Sequence, residues 1–371
     1  MIYLDHAATS FPKPPPVLAS VCHWYEHLGV GADRGDSGRC LEVRHGVDRL
    51  RTRIGQACGM PAERVAFVSG ATEALNLALR AVLRPGDRVL TTAFEHSSVA
   101  RPLRALEQGL ELAIEVLAPS ADGGLAVADV EDALQRLRPR LFVFTHASNV
   151  TGAMFDAAAF CELARRHGAL SLVDASQTAG FHDIDVGADL IAASCHKSML
   201  SPPGVGFLAA AAAIDLASQK QGGTGGSVAL DRHPEQWPQL FEAGTPNTPA
   251  LLGCLAALDW IEAEGRDRLA ARCLQRTGEL EDRLAGSAAV RLIRPPPGPR
   301  TAVTSLLPLA FDPAELGAVL DAADVHVRSG FHCAPWIHHH LGTGAAGTVR
   351  LSPGPMISAA DIETAAAVVA S

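Results

Sequence analysis

The sequence predicts an α/β fold: a mostly parallel sheet with helices on both faces, followed by a smaller α+β unit built from the C-terminal third. Three observations carry this. From about residue 65 to 210, short β-branched runs alternate with helical patterns, as parallel strands joined by crossover helices do. Beyond about residue 215 the alternation stops and helices separate from a few remaining strands. The 371 residues exceed what one core usually serves, and a 48% hydrophobic content fills a sizeable interior.

Taken in order, Val65-Ala66-Phe67-Val68, Arg88-Val89-Leu90-Thr91, Leu112-Ala113-Ile114-Glu115-Val116, Leu141-Phe142-Val143-Phe144 and Leu170-Ser171-Leu172-Val173 read as strands. The segments between them read as helices of roughly three turns. Short Ala and Gly runs such as Ala209 to Ala213 suit tightly packed elements. The Gly-rich Gly222 to Gly226 and the turn-forming Gly244-Thr245-Pro246-Asn247-Thr248-Pro249 precede helices near 250–263 and 266–285. The Pro-rich linker Pro295 to Pro299 separates a strand at 289–293 from another at 301–309. In such a sheet, function sits at the carboxyl ends of the strands. Thr72, His96, Asn149 and Asp174 each stand just past a predicted strand.

Composition excludes several classes. Lys and Arg number 31 against 40 Asp and Glu, a net charge of −9, which with 5% aromatic residues argues against nucleic-acid partners. No apolar run reaches the length of a membrane span. Met1 to His6 lack the basic start and apolar core of a signal peptide, so the expected location is the cytoplasm. Eight cysteines are scattered with no C-x-x-C pair and read mostly as reduced packing residues, one of them open to a nucleophile's role. The run His338-His339-His340 is not read as a metal site: consecutive side chains diverge, and no Cys or carboxylate stands at zinc-like spacing.

The chemistry-bearing stretch is Ser194-Cys195-His196-Lys197, downstream of Val173-Asp174-Ala175-Ser176-Gln177. A lysine after a histidine, reached from an apolar strand that ends in Asp, is the pattern of a lysine holding pyridoxal phosphate as a Schiff base. The carboxylate then keeps the pyridine nitrogen protonated and the ring electron-accepting. By itself His-Lys also reads as a solvated surface pair. Gly70-Ala71-Thr72-Glu73 follows a strand and opens a helix, so the Ala71 and Thr72 backbone and the Thr72 hydroxyl suit a phosphate, with plain N-capping by Thr72 as the alternative. Ser194 and His196 flank the lysine and could supply further phosphate contacts. An anion anchor and an amine on opposite sides of one ring are what this cofactor requires.

Further motifs follow in order: Tyr3-Leu4-Asp5-His6-Ala7-Ala8-Thr9, Ala71-Thr72-Glu73-Ala74-Leu75-Asn76, Glu95-His96, Ser148-Asn149-Val150-Thr151-Gly152, Glu242-Ala243-Gly244-Thr245-Pro246-Asn247, Arg328-Ser329-Gly330-Phe331-His332-Cys333-Ala334 and Val349-Arg350-Leu351-Ser352. With these the chain closely resembles the class V aminotransferase family from Ile2 to the last helix. Within that family it resembles the cysteine desulfurase and selenocysteine lyase branch, in its short-loop second subgroup. The resemblance implies the fold type I of pyridoxal-phosphate transferases. A large domain, 12–255, would hold a mostly parallel seven-stranded sheet between helices; a small domain, 1–11 with 256–371, would carry the catalytic cysteine loop.

The resemblance also implies roles. Lys197 would bind the cofactor and move the substrate Cα proton, and His96 would lie over the pyridine ring and serve as an acid. Asn149 and Gln177 would bind the O3′ side of the ring. Thr224 would reach the phosphate of the neighbouring subunit's cofactor, which makes the expected assembly a homodimer. Arg350 would grip the amino acid's α-carboxylate as a fork, with Asn149 beside it and Arg328 projecting into the site. Cys333 would be the nucleophile, its pKa expected to be lowered by His332, Arg328 and the cationic cofactor. The implied reaction converts L-cysteine to L-alanine and leaves a persulfide on Cys333 for an acceptor protein in iron–sulfur cluster or thiocofactor assembly. Other class V reactions share every cofactor residue: selenocysteine or cysteine-sulfinate cleavage, another β-elimination, or transamination. Only the need for Cys333 separates them. A cofactor-binding scaffold without turnover is the reading from outside the enzymes, and the presence of Lys197, Asp174 and Arg350 speaks against it. Three departures from the family pattern bear on the substrate pocket: Asp36-Ser37 where a His is usual, Cys195 for Gly, and Phe331 for a second His.

Overall fold

The structure, a computed structural model, describes residues 1–32, 35, 37–225 and 231–370. Of the departures just named, Asp36 lies outside the described residues, as does Gly226 of the Gly-rich loop. Strand β1 (Ile2–Tyr3) opens the chain. The large sheet then comprises β2 (Val65–Val68), β3 (Arg88–Thr92), β4 (Ala113–Leu117), β5 (Leu141–Thr145), β6 (Leu170–Asp174), β7 (Leu190–Ser194) and β8 (Gly206–Ala210). Its spatial order is β2-β8-β7-β6-β5-β3-β4. Only β8 runs against its neighbours, so the other six strands end on one side.

The interior strands are mostly apolar because both faces are covered, and their alternate residues enter different cores. Phe142 and Phe144 of β5 and Ile191 and Ala193 of β7 face one core, shared with helices Gly38–Cys58, Val127–Leu137, Ala157–Arg166 and Thr248–Glu264. Leu141, Val143, Leu190 and Ala192 face the other, with helices Ala71–Val82 and Ser97–Leu110. Glu242, in a motif of the resemblance, protects the edge strand β2. Its Oε1 accepts from the Phe67 N–H at 2.7 Å, and its carboxylate pairs with Arg51.

The C-terminal unit carries a second, antiparallel sheet, with β9 (Val290–Ile293), β10 (Thr304–Pro308), β12 (Arg328–Gly330) and β13 (Thr348–Leu351) in the order β12-β13-β10-β9. Between β10 and β12, the short β11 (Val325–His326) pairs in parallel with β1. Leu4 therefore packs in the C-terminal core with Leu280, Leu306, Val349 and Ile362. The division expected at 255 falls inside the continuous helix Thr248–Glu264. Among the described residues no helix is long and apolar enough to cross a membrane.

Candidate active site

Six strand ends on one side of the sheet create a rim, and the chemistry-bearing residues stand on it. Asp174 closes β6 and Ser194 closes β7. Past β2, β3 and β5 come the helix at Ala71, His96, and the turn containing Asn149. The small sheet contributes Arg328 on β12 and Arg350 on β13, directly paired across the ladder. Between the two sheets lies a cavity of about 180 Å³ lined by Ala71, Thr72, His96, Asn149, Asp174, Ser194, His196, Lys197, Arg328 and Arg350 from the expected set; Ala7, Ala8, Ser98, Ser176 and His332 complete it.

Two close approaches build the rim. A Cβ on Gly206 would stand 2.5 Å from the Gly70 Cα, so the turn before the helix can lie on β8 only because Gly206 lacks a side chain. A Cβ on Gly180 would likewise collide with the Ser198 carbonyl, so its absence lets the Gln177–Phe181 turn press on the lysine loop.

At one end of the cavity, Gly70 is the N-cap of helix Ala71–Val82 and no side chain caps it. The capping alternative for Thr72 is thereby removed. Its hydroxyl instead meets Ser98 Oγ at 2.7 Å, and the Ala71 N–H donates to Ser194 Oγ at 2.8 Å. A helix N-terminus with three hydroxyls and a backbone N–H gathered at one end of the cavity is the donor set an anion needs.

His96 caps helix Ser97–Leu110: its Nδ1 accepts from the Ser98 N–H at 3.1 Å. That fixes the neutral tautomer with the proton on Nε2. Burial, then the Lys197 ammonium, push its pKa down to about 4. Burial also holds the Lys197 amine below the usual lysine range, against the pull of Asp174 and with the help of Arg350 and Arg328. The Asp174 carboxylate accepts from the Ser176 N–H at 3.0 Å. Behind it Glu95 is fully buried, accepting from Thr92 Oγ1 at 2.6 Å and the Thr145 N–H at 3.1 Å; burial pushes it up to about 8.

Arg350 is 1% exposed. Its Nη2 pairs with Asp5 at 2.5 Å and its Nη1 donates to the Asn149 carbonyl at 3.2 Å, while its buried Nε has no protein partner among the described residues. Asn149 in turn donates from Nδ2 to the His332 carbonyl at 2.7 Å, tying the cysteine loop to β5. In that loop His332 and Cys333 both adopt positive φ, at 51° and 57°. Non-glycine residues hold such values only when their surroundings over-determine them. Here the Ser97 N–H donates to the Cys333 carbonyl at 2.6 Å, and His332 Nε2 meets Thr348 Oγ1 at 2.8 Å. The half-buried Cys333 thiol receives an N–H from Arg328 Nη2 at 3.1 Å.

Several expectations meet a different geometry. His332 turns toward Thr348, and burial and Arg350 hold its imidazole well below the usual range, so Arg328 alone brings positive charge to Cys333 from this loop. Gln177 lies outside the cavity lining and donates to the Ala7 carbonyl at 3.0 Å. Thr224, expected to serve the neighbouring subunit's site and not this one, lines a separate cavity with Lys220 and Glu242. Cys195 is fully buried and hydrogen-bonded to Cys254, a packing role. Phe331 is 39% exposed and packs edge-on against His338, whose neighbours His339 and His340 point to solvent. Sequence reasoning missed Asp5 and Ser98 as site residues. The first lay within a motif already noted and the second two residues past His96, but nothing local marks either as a partner of Arg350 or Thr72.

Comparison with known proteins gives a consistent result. The model of the family described as aminotransferase class-V matches residues 2–364. A probable cysteine desulfurase of Methanothermobacter thermautotrophicus is 30% identical over 364 residues, 95% of this chain and 89% of its own. A cysteine desulfurase of Salmonella dublin is 30% identical over 355 residues, 90% and 84% of the two chains. A solved apo structure of a cysteine desulfurase from Thermococcus onnurineus NA1 superposes with a TM-score of 0.89 at 29% identity, covering 99% of this chain and 93% of the other.

Proposed function

The chain belongs to the class V aminotransferase family, whose cofactor is pyridoxal 5′-phosphate, and from that premise we propose that it is a cysteine desulfurase converting L-cysteine to L-alanine with sulfur transferred to Cys333. The observation that carries this reading is the Cys333 loop: a thiol held by Arg328 on a strained, anchored turn beside the cavity that contains Lys197 and Asp174.

The residues present fit the cofactor. Asp174 would hold its ring nitrogen, His96 its face, and Ala71, Thr72, Ser194 and His196 its phosphate, with Lys197 as the point of attachment; a second subunit's Thr224 would complete the phosphate contacts in a homodimer. Bound there, pyridoxal phosphate supplies a protonated ring that accepts electrons from the substrate α-carbon.

The chain's own groups do the rest. Arg350 is pre-aimed by Asp5 and the Asn149 carbonyl and takes the substrate α-carboxylate as a fork. Lys197, its amine held below the usual lysine range, takes the Cα proton at Nζ. Cys333 Sγ then attacks the substrate sulfur. The S–S bond forms as the Cβ–S bond breaks, and the bonding pair stays with the three-carbon fragment, which is protonated and leaves as alanine. His96 holds a proton at Nε2 for that return. The Cys333 persulfide passes to an acceptor protein.

The test is alanine and sulfide release from L-cysteine in the presence of a thiol reductant. Cys333→Ser should retain the cofactor's absorption near roughly 410–430 nm while both products fall by about two orders of magnitude or more. A serine variant within a few-fold of wild type would assign the protein to an eliminase or transaminase reaction instead.

A further inference from the structure

The N-terminal arm packs on the lysine loop. Four donors converge on one acceptor there, the carbonyl oxygen of His196. The Ser10 N–H and Ser10 Oγ each lie at 2.9 Å, Lys13 Nζ at 3.1 Å and Thr9 Oγ1 at 3.3 Å. A carbonyl offers two lone pairs, so this cluster is denser than satisfying the group requires. The Lys13 ammonium also donates to Ser10 Oγ at 2.5 Å, and Thr9 Oγ1 lies 3.1 Å from His196 Nδ1. Tyr3 fixes the arm in turn by donating to the Thr9 carbonyl at 3.0 Å. Lysines usually keep their ammonium in water; Lys13 is half-buried and turned inward.

The His196 carbonyl belongs to the peptide unit that contains the backbone nitrogen of Lys197, and a peptide unit is rigid. Pinning that oxygen therefore fixes the plane from which the Lys197 side chain departs. We propose that Lys13 is a positioning residue for Lys197, its ammonium locking the 196–197 peptide so that Nζ of Lys197 is presented to the cofactor aldehyde. The inference rests on Lys197 as the attachment point. A carbonyl that loses its one charged donor keeps its neutral ones, so the expected effect is on the presentation of Lys197 and not on folding.

Apoprotein of the wild type, Lys13→Met, Lys13→Arg and Leu316→Ala is given saturating pyridoxal phosphate. Borohydride-trapped label at Lys197 is followed by peptide mapping against time, with the apoprotein melting temperature recorded alongside. Lys13→Met should label about tenfold more slowly, as loss of a charge-assisted hydrogen bond implies, and Lys13→Arg should restore most of the rate. Leu316→Ala, in the C-terminal core, should lower the melting temperature yet label at the wild-type rate. Wild-type labelling by Lys13→Met overturns the proposal, as does a labelling loss that tracks melting temperature in both Lys13→Met and Leu316→Ala. Wild-type label on a residue other than Lys197 overturns the attachment reading and this inference with it.

Discussion

Asp5→Asn tests how Arg350, the proposed clamp for the substrate carboxylate, is held. Arg350 is 1% exposed and its Nη2 lies 2.5 Å from Asp5, whose side chain is 8% exposed, so the pair is isolated from water. At an effective dielectric of about 20, unit charges about 4 Å apart attract by about 4 kcal/mol. Removing one partner of a buried pair costs about 3–5 kcal/mol, because the other charge is left without compensation. Arg350 keeps the Asn149 carbonyl, which points to the lower end, about 3 kcal/mol. With about 2 cal/mol/K of unfolding entropy per residue and 371 residues, the melting midpoint should drop by about 4 °C. A ligand carboxylate can replace the missing one, so saturating L-alanine should recover part of the loss in Asp5→Asn while KM for L-cysteine rises. In Asp5→Asn with Arg350→Met neither charge of the pair remains, and stability should return without turnover. The assays are differential scanning calorimetry of the apoprotein and steady-state kinetics. If Asp5→Asn melts within about 1 °C of wild type and KM is unchanged, Asp5 does not orient Arg350.

Other outcomes follow from the buried titratable groups and from assembly. Burial raises Glu95 to about 8, so the folded state holds a proton the unfolded chain releases near pH 4.5; the stability this brings is lost as pH rises through about 8. Glu95→Gln keeps an acceptor for Thr92 and Thr145, so it should melt like wild type at pH 5 and above it at pH 9; midpoints equal to wild type at both pH values would show that Glu95 titrates in the ordinary carboxylate range. Burial lowers His96, His146 and His196 to about 4 and His6 to about 3. The unfolded chain then takes up protons first, and stability should fall steadily from about pH 6.5 to about pH 4; urea midpoints that do not change between pH 7 and pH 5 would contradict this. If the proposed homodimer forms, Thr224→Val and Lys197→Ala should each lose tight cofactor binding, while refolding the two together should restore it in hybrid dimers, whose one intact site combines both subunits. A mixture no better than the separate variants would place Thr224 outside the neighbour's phosphate site.

The large sheet was legible wherever β-branched strands alternate with helices, from Val65 to Asp174, because strand and helix periodicity is a local property of the chain. The alanine-rich β7 and β8 carry little of that signal, and their places came from pairing. Asp174 could also be read directly, since it stands where a predicted strand runs out, and the lysine loop was marked by its Ser-x-His-Lys pattern downstream of it. What the sequence could not supply are the partners. Asp5 meets Arg350 across 345 positions and Asn149 meets His332 across 183. Thr72 reads as a cap until Gly70 takes that position and Ser98 takes its hydroxyl. His332 reads as an activator of Cys333 until Thr348 binds it instead. Sequence alone determined the family, the candidate residues for its chemistry, and roughly where the strands from Val65 to Asp174 end. The tertiary structure decided which of them touch, because hydrogen-bond and ion-pair geometry depends on how distant segments pack, and local periodicity contains no information about that.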